Sequence, residues 1–294
     1  MFVVDQVNPV SLKSLNLGYS SVGDDGAAAL FGGDLGLQTI FLMYNSIGDR
    51  GGVAIGSFLR RDTRLRVLHL EGNTIGAEGA EAIGDALLYN TSLEAFALRS
   101  NPLGDRGASS FGRMLHQNFC LTSLNLDEAT ITRIGAETLA DGLRANFCLQ
   151  NLELSANPLG PEGIAFLSDA LCTNSCLLTL NLDACGVGDA GAASLSSALL
   201  VNSCLQTLYL RHNKIGSIGA ASLSKSLRVN TCLQTLTLAD NCMLDAGATD
   251  LHDALRVNAS LTTLNLMRNN LGDVGVRKLS EPLTGRAIPL KLSF

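Results

Sequence analysis

Tryptophan is absent from this 294-residue chain, and aromatic residues make up only 5% of it. A ring-dominated core is excluded; whatever fills the interior is small and aliphatic, chiefly Leu, Ala and Gly. Charge is scarce too, at 16%, and 21 Lys+Arg against 27 Asp+Glu leave a net charge of −6, which repels a polyanion. Nucleic acid is therefore not an expected partner. No apolar run approaches the length of a membrane span, and Met1 to Asp5 lack the basic start and apolar stretch of a secretory signal. A cytoplasmic location is expected, with the eight cysteines as free thiols. Apolar residues at 46% suffice for a core and exclude intrinsic disorder.

What the chain has is repetition. The pattern Leu-x-x-Leu-x-Leu-x-x-Asn-x-Ile-Gly-x-x-Gly begins at Leu37 and returns every 28 residues at Leu65, Leu93, Leu121, Leu149, Leu177, Leu205, Leu233 and Leu261. An earlier copy, Leu12, Leu15, Leu17, Val22, Gly23 and Gly26, precedes Leu37 by 25 residues, for ten repeats over 12–283. In each unit the first half alternates as a strand does, as at Leu208 and Leu210, while Gly219, Leu223 and Leu227 form one helical face. Strand and crossover helix, repeated, predict a parallel sheet flanked by helices.

The joints carry their own chemistry. Asp24, Asp49, Asp105, Asp189, Ser217, Asp245 and Asp273 share a slot at the head of the helical half and are expected to cap it; Pro161 fills the slot in another copy. Asn90, Asn118, Asn146, Asn174, Asn202, Asn230 and Asn258 follow the last helical Leu by three, where a left-handed helix end is expected. Cys120, Cys148, Cys176, Cys204 and Cys232 precede the first Leu of five repeats, where Ser92 and Ser260 stand in others, so a buried column of small side chains is predicted. Their odd number precludes complete disulfide pairing. Segment 1–11, with Phe2, Val3, Val4 and Val7, is expected to cap the first repeat, and 284–294 to form a C-terminal cap or partial eleventh repeat with Leu292 and Phe294 inward. Neither end is a generous cap, which leaves open a longer chain or ends covered by a partner.

Leu205 to Asn213 with Ile215-Gly216 and Gly219-Ala220 resembles the leucine-rich repeat, and the 28-residue unit is similar to its ribonuclease-inhibitor subtype, shared by NOD-like receptors and Ran GTPase-activating proteins. The resemblance covers roughly 12 to 283. It implies an α/β solenoid curved as a horseshoe, with parallel strands on the concave face and helices on the convex face. Departures are Ser20, Ala129 and Cys185 at the motif Asn, and Met243-Leu244 in place of Ile-Gly.

Catalytic groups are weakly represented. His69, His116, His212 and His252 share no phase that brings three together, Cys172, Cys176 and Cys185 make a poor metal set, and the glycine runs lack a phosphate-loop lysine. No enzyme activity, cofactor or metal is expected. The remaining feature is a surface: the residue between the second and third Leu, and the two after the third, face the concave side. Tyr19, Phe41, Met43, Tyr44, His69 and Glu71 make one end aromatic and apolar. After Arg99 the middle turns acidic, with Asp127, Glu128, Glu153 and Asp183, and the last repeats place Tyr209, Arg211, His212 and Arg268. These residues are the candidate partner-binding set, since clustered exposed apolar groups mark interaction surfaces. The alternative is that the aromatics only pack against the N-terminal cap.

A non-enzymatic interaction scaffold or assembly subunit, binding a protein through its concave face, is the function these features favour. The resemblance implies two alternatives. One is a regulator of a small GTPase, against which stands the absence of an acidic C-terminal tract. The other is the sensing region of a NOD-like receptor, for which the chain carries no nucleotide-binding module.

Overall fold

The computed structural model describes residues 12–283 and 289–294. The expected cap over 1–11 lies outside these residues. Eleven three-residue strands, from β1 (Ser14–Asn16) to β11 (Lys291–Ser293), form one open parallel sheet in chain order. Each strand pairs in register with the next, so Leu180 opposite Leu208 and Leu208 opposite Leu236 put equivalent residues in straight rows. A helix follows each of the first ten strands. Strands repeat at about 4.8 Å and packed helices at about 8–10 Å, so the sheet takes the concave side of a curved α/β solenoid.

The core lies between the two layers. Leu180, Leu182, Leu195, Leu199 and Leu205 are all buried, and the inner repeats bury apolar residues at the equivalent positions, whereas Leu15, Leu17 and Leu283 at the ends are only partly buried. Helices approach closely because small residues face each other: a Cβ on Gly52 would lie 2.7 Å from Gly79 Cα.

Two asparagine ladders tie the coils together. At the motif Asn, Asn213 Nδ2 donates to Leu182 O at 2.7 Å, and its Oδ1 accepts from Cys185 N at 2.9 Å and Val187 N at 3.2 Å. Where Cys185 replaces Asn, its thiol donates to Leu154 O at 3.1 Å; burial pushes its pKa up to about 12, so the proton stays on sulfur. The helix-end asparagines form the second ladder. Asn202 Nδ2 donates to Leu171 O (2.8 Å) and Asn174 O (3.2 Å), while its Oδ1 accepts from Cys204 N (3.1 Å) and Leu205 N (2.8 Å). The expected left-handed helix end is not found: Asn146 sits at φ −87° and ψ 135°, and none of the seven has positive φ. Satisfying buried carbonyls of the previous coil, rather than relieving a helix terminus, explains Asn here.

The aspartates also act across the repeat boundary. Asp49 heads α2 (Asp49–Leu59), yet its Oδ1 accepts from Gly76 N and Gly79 N, both at 2.8 Å, at the start of α3 (Ala77–Leu87). Asp24, Asp105 and Asp189 do the same for Gly48 and Gly51, Thr132 and Gly135, and Gly216 and Gly219; Asp245 accepts from Gly272 N at 2.7 Å. They cap the next helix, not their own.

The presence of Asp selects the geometry of that next joint. With it, the residue before the helix is extended, as at Gly76 (φ −95°, ψ −158°). Where the slot holds Ala77, Arg133, Pro161 or Ser217, the next joint turns left-handed, at Gly104, Gly160, Gly188 or Leu244, with φ between 56° and 66°. The N–H of that joint then donates forward, for example Gly104 to Ala129 O at 3.0 Å and Leu244 to Asn269 O at 3.2 Å.

Two further expectations are corrected. Of the eight free thiols only Cys185 is buried; the five-membered column is half-buried and Cys172 and Cys242 are exposed, because the column lies in the surface turns. Phe294 is 45% exposed rather than inward, there being no later repeat among the described residues to cover it, while Leu290 and Leu292 pack partly against the core. His252, one of the four dispersed histidines, is 1% exposed, with Nε2 3.5 Å from Glu281 Oε2.

Candidate interaction surface

The strands set the surface. In β2 (Thr39–Phe41) the middle residue Ile40 is buried, so Thr39 and Phe41 share the concave side. Two residues beyond the last core Leu, the chain turns left-handed in every repeat, at Tyr19, Tyr44, Gly72, Ser100, Glu128, Ala156, Ala184, His212, Asp240 and Arg268. The turn carries the backbone ladder onward, as in Tyr44 N donating to Glu71 O at 2.8 Å.

At the N-terminal end the predicted residues meet. Tyr19 and Tyr44 are exposed and stack with centroids 4.7 Å apart and planes 13° apart. Gly72 makes room for this pair: at φ +67°, a Cβ there would lie 2.3 Å from Tyr44 Cε1. Half-buried Phe41 packs against His69 at 4.9 Å, and His69 Nδ1 lies 2.6 Å from Glu71 Oε1. Met43 is half-buried beside them, and Glu71 Oε2 is buried with no hydrogen-bond partner.

The acidic middle differs from a row of solvated carboxylates. Asp127 is only 8% exposed; its Oδ1 accepts from Ser155 N at 2.6 Å and its Oδ2 from Asn125 Nδ2 at 3.3 Å. Desolvation pushes its pKa up to about 6, and the Glu153 charge adds to the rise. Glu153 and Asp183 are half-buried and raised for the same first reason, although Asp183 Oδ1 accepts from Arg211 N at 2.6 Å. Glu128 is engaged elsewhere: Ser100 Oγ donates to it at 2.7 Å and Arg99 Nη2 at 2.6 Å, which together hold its carboxyl below the usual range.

The C-terminal repeats bring Arg211 and Arg268 onto one carboxylate, Asp240, at 2.6 and 3.4 Å. His212 is exposed and Tyr209 half-buried in this stretch, apart from the aromatic end. The predicted set therefore resolves into three groups. A fourth row was missed: Thr39, Val67, Asn151, Thr179 and Thr207 open their strands on the same side, and the alternation that found Phe41 also marks position 39.

Among the described residues no helix is long and apolar enough to cross a membrane, and no three potential ligands cluster as a metal site. Comparison with known families finds ten copies of the Leucine Rich repeat, at residues 9–31, 36–56, 62–84, 89–112, 117–140, 145–168, 173–196, 201–224, 229–251 and 257–280. No curated protein matches the chain. Solved structures that resemble it include "Leiomodin-1 Actin-Binding Site 2 (ABS2)", 23% identical with TM-score 0.34, covering 38% of this chain and 68% of that one. Another is a tropomodulin C-terminal domain from Caenorhabditis elegans, 16% identical with TM-score 0.44, covering 51% of this chain and 92% of that one. With matched repeats running from residue 9 to residue 280 of an open strand-and-helix coil, the chain belongs to the leucine-rich repeat family.

Proposed function

We propose that the protein is a non-enzymatic interaction scaffold that holds a protein partner on its concave face. The Tyr19–Tyr44 stack carries the reading: two large rings stand exposed side by side where a solenoid is free to place small polar residues. Eleven strands at about 4.8 Å spacing make a face of roughly 50 Å, enough for a standard interface. Eight free cysteines support a cytoplasmic location. The 28-residue unit with a full helix in most copies supports the ribonuclease-inhibitor-like subtype.

The anchor is Phe41, Met43 and Tyr44, with Tyr19 and His69 beside them. Glu153 and Asp183 supply the polar contribution, while Asp127 and Glu128 serve the fold first. A photocrosslinking amino acid placed at Tyr44, and in a control at Lys225 on the convex side, tests this in extract of the source cells. A specific protein adduct is expected at position 44 and not at 225; an adduct only at 225 overturns the concave assignment.

A further inference from the structure

Five thiols stand in one line across the repeats. Cys120, Cys148, Cys176, Cys204 and Cys232 recur every 28 residues in the turns that lead from helix to strand, and all five are free and half-buried. Each backbone is fixed in the same way: the cysteine N–H donates to Oδ1 of the asparagine two residues before, at 2.9–3.1 Å. The strand that starts three residues later pairs in register with its neighbours, Thr179 opposite Thr207 and Thr207 opposite Thr235. Equivalent atoms of successive coils therefore lie about 4.8 Å apart at this level.

The sulfurs follow the line. Cys176 Sγ lies 3.2 Å from Leu149 O and 3.4 Å from Asn146 O, carbonyls on either side of Cys148. Cys204 Sγ repeats this at 3.3 Å from Leu177 O and 3.5 Å from Asn174 O, and Cys232 Sγ lies 2.9 Å from Ser203 O, next to Cys204. Each of these sulfurs reaches back to the preceding member of the column. Neighbours also feel each other's charge: burial pushes the Cys176 thiol up, and Cys204 and Cys148 add to the rise. Packing alone does not select sulfur, since Ser92 and Ser260 fill the slot in two other repeats.

We propose that the column binds a thiophilic monovalent cation of the Cu(I) class, held in line between the sulfurs of successive coils. Soft thiolates select such ions. Two metal–sulfur bonds of about 2.3 Å in line span about 4.6 Å, close to the spacing between coils. A disulfide fits less well, because its two Cβ atoms lie about 3.8 Å apart. Zinc also fits less well: it takes four ligands, and among the described residues no three potential ligands cluster. Binding breaks two S–H bonds and makes two metal–sulfur bonds; both protons pass to solvent and no electron is transferred. Five thiols in line accommodate two such bridges with one thiol left over. The column takes no residue from the concave face, so this site and the partner surface can fail separately.

Titration of the reduced protein with Cu(I) in oxygen-free buffer, in competition with the chromophoric chelator bicinchoninate, tests it. The parent should take about two ions per chain from the chelator. Cys148→Ser with Cys204→Ser leaves three thiols and no adjacent pair, and should abolish uptake. Cys120→Ser with Cys148→Ser removes as many thiols but leaves three in succession, and should retain about one ion. Cys172→Ser with Cys242→Ser, exposed and off the column, should change nothing. Serine already occupies the slot in two repeats, so circular dichroism should find the column variants folded. X-ray absorption at the copper edge should find two sulfur neighbours. No uptake by the parent, uptake that follows the number of cysteines rather than their adjacency, or three or four sulfurs around copper would each overturn the proposal.

Discussion

Asp127 illustrates how far a single residue can depart from its place in a repeat. Its slot faces the concave side, and in the sequence it is one acidic residue in a row; in the fold its charge is desolvated and its pKa rises to about 6. Since the folded pKa lies above the 3.8 of an unperturbed aspartate, the folded state binds the proton more tightly, and stability is lost as pH rises through that window. The shift corresponds to about 3 kcal/mol. Asp127→Asn keeps an acceptor for Ser155 N and removes the charge, so it should stabilise by about 1–3 kcal/mol at pH 7 and by little at pH 4. Urea denaturation at the two pH values measures this; equal effects at both would place the burial elsewhere. The row was legible from strand alternation. The desolvation was not, because it depends on Asn125 and Ser155 closing over the carboxylate from two repeats. Leu244 is a second such case: it holds a left-handed joint at φ +56° that Gly fills in four other copies, at Gly23, Gly104, Gly160 and Gly188. Leu244→Gly is expected to raise stability by about 1 kcal/mol, read as a higher urea midpoint.

At the scale of one helix and its neighbour, the aspartate slot shows what periodicity reveals and what it hides. Periodicity located Asp49 at the head of its helix, but not the direction of its bonds, since intrahelical and cross-repeat capping leave the same residue at the same spacing. Asp49→Ala should therefore destabilise by about 1–2 kcal/mol. Its local signature should lie one repeat away: hydrogen exchange should quicken at Gly76 and Gly79, at the head of α3, while amides of α2 keep their protection. Faster exchange confined to α2 would restore own-helix capping. The same limit applied to the helix-end asparagines. Spacing marked Asn202 and its equivalents as special, whereas the carbonyls of Leu171 and Asn174 that they satisfy belong to the preceding coil.

Across the whole molecule, each repeat touches only its neighbours, so damage should stay local. Leu182→Ala, at a fully buried position, should cost about 2–5 kcal/mol and speed exchange in the repeats beginning at Leu149, Leu177 and Leu205 while distant repeats remain protected. Uniform loosening would instead mark one cooperative unit. The architecture was legible because ten near-identical units average out the ambiguity of any one short strand. The division of the concave face into three groups was less so, since the pairing of Arg99 with Glu128 and of Arg211 with Asp240 depends on rotamers that no spacing specifies. The central claim is that the exposed aromatic end of the concave face anchors a protein partner. Its most direct test is the affinity of the crosslinked partner, once purified, for the parent protein and for Phe41→Ala, Tyr44→Ala and Lys225→Glu. The account predicts a loss of about thirtyfold for each aromatic truncation and none for the convex change. Unchanged affinity in both aromatic variants, with binding lost in Lys225→Glu, would contradict it.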